Sequence, residues 1–170
     1  LMYNALTIMG PAPQVMMYPD LAKSWEISKD GREYVFPLRE RVKFHHGKEL
    51  DSADVKYSFD HAKLPSSQTQ EYVFNNIKSV TAVDDYTVQF KLNYPNWRWA
   101  IDLDSYNTMI LPKGIYEWAG GSLKDPSKLR GGGPWMLEDY KPDSVIRFKP
   151  NEAYRKVFGV PYADHLNVAI

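Results

Sequence analysis

An α+β fold shading into mixed α/β is what this 170-residue chain predicts, on three observations. Tyr86-Thr87-Val88-Gln89-Phe90-Lys91-Leu92 alternates apolar and polar side chains with a strand's period of two. The alternation of Trp25 and Ile27 with polar neighbours and the short apolar run Tyr34-Val35-Phe36 with Leu38 flank the turn sequence Lys29-Asp30-Gly31. Between these hairpins, Val55, Phe59 and Ala62 recur at helical spacing behind Asp51, whose carboxylate suits the free N–H groups of a first helical turn.

Composition narrows the class. Lys+Arg and Asp+Glu both number 21, so the formal net charge is zero, which argues against nucleic acid as partner because phosphates select a basic excess. No apolar run approaches the roughly 20 residues that span a bilayer, and no signal-peptide pattern is present. The absence of Cys removes disulfides, thiolate catalysis and Cys-based zinc sites together. A chain of this length buries about two-thirds of its unfolded surface, enough for one domain with a second partial unit. It opens at Leu1-Met2-Tyr3 and closes at the apolar Val168-Ala169-Ile170, and the expectation is a piece of something longer. Aromatics make up 14%. Their first reading is a ring-rich core; their second is a surface for peptides or sugars, where flat rings give contact area at low entropy cost.

The elements follow in order. Residues 1–10 read as a helix tail or short strand, stopped by Gly10-Pro11. Trp25 and Ile27 face one side of a strand, and the strand after the turn carries Pro37, whose missing N–H predicts an edge position or a bulge. Val42-Lys43-Phe44-His45-His46-Gly47 leads to a tight turn that Gly47 permits. The helix from Asp51 is expected to run to about Leu64, before Pro65, with Asp54 favourable near its positive end. Residues 72–77 suggest a helical turn, and 80–83 with 86–92 a second hairpin. Phe36, Phe44, Val55, Phe59, Val88 and Phe90 are expected to share one core.

Further on, 97–103 reads as a short helix capped by Asn96, and 109–112 as a buried strand ending at Pro112, followed by a helix to Trp118. Gly120-Gly121 ends that helix, and 123–129 is a polar stretch suited to a linker. Met136-Leu137 and Val145-Ile146-Arg147-Phe148 read as a strand pair. No internal repeat or low-complexity tract is visible.

These residues also carry a resemblance. Val42-Lys43-Phe44-His45, Gly47, Leu50, Ala53-Asp54-Val55 and Tyr57-Ser58 resemble the signature run of the family 5 extracellular solute-binding proteins, the peptide, dipeptide and nickel receptors of ABC importers. Arg41 stands where that run usually has Gly, and His46 where it usually has Asp. The hairpin from Leu21 to Arg39, the 84–92 strand, the Pro112-Lys113 step, Gly131-Gly132-Gly133-Pro134-Trp135, Asn151 with Tyr154, and Pro161-Tyr162-Ala163-Asp164 extend the likeness from about Leu21 to the end. Here Trp135 replaces a usual Tyr or Phe, Gly132 a usual Thr, and Pro150 a usual basic residue.

The resemblance implies a periplasmic-binding-protein-like fold of the large peptide-receptor class. It implies residues 1–18 at the edge of a main lobe, 19–129 as a small inserted α+β domain, and 130–170 as an incomplete return. The function implied is capture of a solute, a peptide first, between lobes for an ABC permease, without catalysis, outside the cytoplasm, with or without a membrane anchor on the full-length protein. The receptor is expected to be a monomer. It implies Ser105, Tyr106 and Asn107, upstream of Pro112-Lys113, as ligand contacts, since Tyr106 can stack and Asn107 can donate and accept; the competing reading is an ordinary surface loop. Gly131, Gly132 and Gly133 would be a hinge or crossover.

Other constellations carry less. His45-His46 invites a metal, but neighbours on a strand point to opposite faces, and metal sites want further ligands and a second shell. A turn with His46 exposed and His45 partly packed is the plainer reading; neither metal nor cofactor is expected. Asp102 and Asp104 invite glycoside hydrolysis, yet two apart on a helix they diverge. Gly131-Gly132-Gly133 lacks the Lys and Ser/Thr of a phosphate loop, and Pro134 withholds an amide; glycine's access to unusual φ and ψ suits a chain crossing better. Trp97 and Trp99 read as packing. The alternative from a different class is a carbohydrate-binding module or glycoside hydrolase fragment using surface aromatics, and a purely structural domain is a third.

Overall fold

Strand pairing organises residues 2–10, 16–64, 74–103 and 108–169, which this computed structural model describes. They pack as two units, one of Ala5–Glu40 with Asp51–Ile110, the other of Leu1–Asn4, Arg41–Leu50 and Leu111–Ile170. Set beside the expected span 19–129, residues 5–18 join the first unit, and 41–50 and 111–129 join the second.

The first unit begins with a hairpin of β1 (Thr7–Met9) and β2 (Met17–Pro19), with Ile8 opposite Tyr18. A four-stranded antiparallel sheet follows, built from β3 (Glu26–Ile27), β4 (Glu33–Pro37), β5 (Ile77–Asp84) and β6 (Thr87–Leu92) in the order β3-β4-β6-β5. The Lys29-Asp30-Gly31 turn forms, with Gly31 at φ +67° and its N–H donating to the Ser28 carbonyl at 2.9 Å. Period-two reading of β6 holds: Val88, Phe90 and Leu92 are buried, while Lys91 is exposed.

Pro37 is not at an edge, but the pairing on its β3 side is irregular, as the expected bulge would make it. Its strand β4 lies between β3 and β6, and the β4–β6 register runs without a shift from Glu33↔Lys91 to Pro37↔Thr87. Alternate residues of a strand present their N–H to alternate neighbours. Leu38 donates to Tyr86 on the β6 side, so the Pro37 nitrogen faces the β3 side. There the pairing steps from Glu26↔Val35 to the bridge Ala22↔Leu38, three residues opposite two, and Lys23 donates to the Pro37 carbonyl at 2.7 Å, so the proline sits where the ladder is irregular.

Helix α1 (Ser52–Ala62) starts as predicted and stops just short of Leu64. Asp51 Oδ1 accepts from the Asp54 N–H at 3.1 Å, and Asp54 Oδ2 accepts from the Asp51 N–H at 3.0 Å. This reciprocal capping box satisfies two otherwise orphaned donors, and it accounts for Asp54 being a fully buried carboxylate. The helix packs on β5 and β6. Phe59 meets Phe90 edge-on at 4.8 Å, and Phe90 meets Phe36 at 5.7 Å and Trp99 at 5.0 Å. Each such buried ring contributes roughly 1.5–3 kcal/mol by leaving water.

Short helix α2 (Trp99–Asp102) is capped by Arg98 without a side-chain bond. Asn96 instead turns the chain just ahead, its Oδ1 accepting from the Arg98 N–H at 3.0 Å. The two tryptophans part ways: Trp99 is buried in the ring core, while Trp97 is 58% exposed.

In the second unit, 42–50 forms a small hairpin about Gly47 (φ +90°), with Phe44 and Leu50 donating to Lys48 and Val42. Phe44 is buried here, with Gly132 beside its ring, and not with Phe36, Phe59 and Phe90 as expected. A strand at 109–112 does not form, because a strand requires a partner and none pairs with it among the described residues. Helix α3 (Ile115–Trp118) follows Gly114 and ends at Gly120-Gly121, both at positive φ. The sheet of this unit, β7 (Trp135–Lys141), β8 (Val145–Pro150) and β9 (Leu166–Ala169), is antiparallel in chain order. Met2, Trp135 and Phe148 form its core, with α4 (Glu152–Phe158) following β8.

Candidate functional site

Ser105, Tyr106 and Asn107 lie outside the described residues, as does Asp104. The residues flanking them are placed. Leu103 and Thr108 are both buried, and the Thr108 hydroxyl donates to the Leu103 carbonyl. Asp102, the remaining member of the proposed carboxylate pair, has its pKa raised by partial burial, with Arg98 opposing.

The glycine run is built for close approach. A Cβ on Gly131 would lie 1.8 Å from the Met2 carbonyl oxygen, so no larger residue fits. Gly133 then donates its N–H to that same oxygen at 2.9 Å. Neither Gly131 nor Gly132 has a positive φ, so the expectation of unusual backbone angles there is corrected: contact, and not conformation, excludes a side chain at Gly131. All three glycines lie inside the second unit, and the chain passes between units at 110–111, upstream of them.

His45 is tied to the same run. Its N–H donates to the Gly131 carbonyl at 2.8 Å, and the Gly131 N–H returns to His45 Nδ1 at 3.2 Å. Nε2 faces the Gly133 carbonyl at 3.2 Å. Since Nδ1 accepts, the ring is the neutral Nε2–H tautomer, and Nε2 donates. Burial pushes the imidazole pKa down to about 4, with Arg130 and His46 adding and the Gly133 bond opposing. His46 is exposed and lies over the Phe44 ring at 5.9 Å. Thus His45 is half-buried and His46 open, in a turn, as the plain reading expected. No group of three His, Cys, Asp or Glu able to hold a metal occurs among the described residues.

Asn151 completes the arrangement, and the sequence reading assigned it no role. Its Oδ1 accepts from the Ala153 and Tyr154 N–H groups at the start of α4, and its Nδ2 donates to the Gly133 carbonyl at 3.0 Å. Tyr154 in turn accepts from Asn4 Nδ2 at 3.2 Å. An Asn followed by Glu and then apolar residues is an N-cap signature that would have found it. Around this frame, a cavity of about 720 Å³ is lined by His45, His46, Arg130, Leu137, Asp139 and Lys149, among others. Arg130 also sits over the Trp118 indole, 5.0 Å from its centre. The geometry offers hydrogen bonds and contact surface.

The motive for a sugar-binding surface weakens, because Tyr34, Phe36, Phe44, Phe59, Phe90 and Trp99 are all fully buried. Comparison with known proteins points elsewhere. The model of the bacterial extracellular solute-binding proteins, family 5 Middle, matches residues 16–170, and the chain belongs to that family. The dipeptide-binding protein of Escherichia coli (strain K12) is 38% identical over 160 residues, 80% of this chain and 29% of its own length. Among solved structures, the PBP AgaA with agropinic acid from A. tumefaciens R10 superposes with a TM-score of 0.88 at 25% identity, covering 99% of this chain and 33% of that one. The oligopeptide-binding protein AppA from Bacillus subtilis, with a nonapeptide, gives 0.85 at 27% identity, covering 99% and 34%. The fold is therefore that of the type II periplasmic binding proteins. The chain spans about a third of the length of these relatives.

Proposed function

We propose that this chain is part of a receptor that captures a solute, a peptide first, outside the cytoplasm for an ABC permease, without catalysis. The family match over 16–170 carries the reading, and the peptide-binding names of relatives support the ligand class. The unit of Ala5–Glu40 and Asp51–Ile110 is the small inserted domain in this reading, with its two hairpins and capped helix. Ser105, Tyr106 and Asn107 are the proposed ligand contacts. Gly131, Gly132 and Gly133 serve as a fixed crossing packed against Met2. Affinity arises from lobe closure around the ligand, and the receptor acts as a monomer. No helix among the described residues is long and apolar enough to cross a membrane.

Titration of dipeptides and oligopeptides into the full-length receptor and into this 170-residue chain tests the proposal. The full-length receptor is expected to bind at micromolar concentration or tighter. The chain alone is expected to bind no better than about millimolar, near −4 kcal/mol, because a few contacts must offset several kcal/mol of lost translational and rotational freedom. Saturable micromolar binding by the chain alone, centred on Tyr106 and Asn107, would show a local pocket instead of one closed between lobes. A full-length receptor that ignores peptides yet binds or cleaves a glycan would overturn the reading.

A further inference from the structure

We propose that His45 is an acid-sensitive pin, whose protonation at Nδ1 frees the Gly131–Gly133 run from the 42–50 hairpin and loosens this unit. Both ring nitrogens are committed to backbone groups of one short segment. Nδ1 takes the Gly131 N–H at 3.2 Å, and Nε2 meets the Gly133 carbonyl at 3.2 Å. A proton on Nδ1 would set two donors against each other, breaking the Gly131 bond outright. The Gly131 backbone has little room to adjust, because its α-carbon already lies against the Met2 carbonyl. The imidazolium would also be half-buried.

The charged surroundings are mixed. From the hairpin, His46 stands beside His45; from the segment before the glycines come Asp125 and Arg130; from β7 come Glu138 and Asp139, and from β8 Lys149. Arg130 and His46 oppose protonation, in the same direction as burial. The sign of the linkage follows. With the folded pKa near 4 and the unfolded value at 6.5, the unfolded chain binds more protons between these pH values. The pin's contribution is therefore complete above pH 6.5 and is lost as pH falls toward 4.

A pH titration of the 170-residue chain followed by ¹⁵N NMR tests the pin. At neutral pH, Nδ1 is expected to show the shift of an unprotonated nitrogen and Nε2 that of a protonated one. The ring should titrate well below its ordinary value of 6.5. The Gly131 amide should lose about a hundredfold in exchange protection, progressively, as pH falls from 6.5 to 4. His45→Asn supplies an oxygen near the place of Nδ1 that does not titrate, so Gly131 protection should become flat with pH in that variant. A His45 that titrates near 6.5 while the Gly131 amide stays protected would overturn the pin. So would a Gly131 amide that opens in acid as readily in His45→Asn as in the parent chain. The parent chain's nitrogen shifts decide the matter even if the variant does not fold.

Discussion

Asn151 uses the two ends of one amide for two tasks, donating Nδ2 to the Gly133 carbonyl at 3.0 Å while Oδ1 accepts from the first turn of α4. The amide orientation is thereby settled, since only the nitrogen can serve the carbonyl. The residue is buried, so both bonds are shielded from competing water. A helix start and a glycine crossing far apart in sequence are joined through a single side chain.

The first prediction concerns that amide. Asn151→Ala should cost about 2 kcal/mol, the sum of a lost cap and a lost buried hydrogen bond. Asn151→Asp keeps the cap acceptors but has no N–H for Gly133, and it sets a carboxylate against a carbonyl. It should lose at least half as much as the Ala variant, read from urea midpoints at constant slope. An Asp variant as stable as the parent would show that the Gly133 bond contributes nothing.

Neighbouring glycines should respond differently to the same change. Gly131→Ala drives a methyl into the Met2 carbonyl at 1.8 Å, so the backbone must shift and the variant should be destabilised by several kcal/mol or fail to fold. Gly132→Ala meets Phe44 at an ordinary 3.6 Å with no unfavourable φ, and should stay within about 1 kcal/mol of the parent. Thermal unfolding of both variants, followed by circular dichroism, provides the comparison. Equal effects at the two positions would contradict the close crossing.

Phe90 sits among Phe36, Phe59 and Trp99, fully buried on β6. Truncation to Ala should cost about 3–5 kcal/mol, from lost transfer free energy and the cavity left behind. Chemical denaturation measures it directly. A loss below about 1 kcal/mol would mean that the surrounding rings collapse into the space.

Much of the fold was legible because its causes are local. The alternation of 86–92, the spacing of Val55 and Phe59, the Asp51 cap and the Asp30-Gly31 turn each arise from residues a few places apart. The run from Val42 to Ser58 also sufficed to point to the family that the comparisons then showed. Within the candidate site, the half-buried and exposed characters of His45 and His46 were readable from a turn bounded by Gly47.

What the amino-acid order determined alone was thus the strands of the two main hairpins, the capped start of α1, and the family. Only the tertiary structure decided with whom each segment packs. Pro37 is tolerated inside a sheet because the ladder on its β3 side is irregular there, a fact about another segment's pairing. Phe44 follows the same apolar pattern as Phe36, yet it is buried with a different unit. Gly131 is required by a carbonyl near the start of the chain, and His45 and Asn151 converge on Gly133 from segments on either side of it in sequence. Periodicity and capping are short-range effects, written in adjacent residues. Close approach, partner choice and shared hydrogen bonds depend on distances that arise only once the chain has folded.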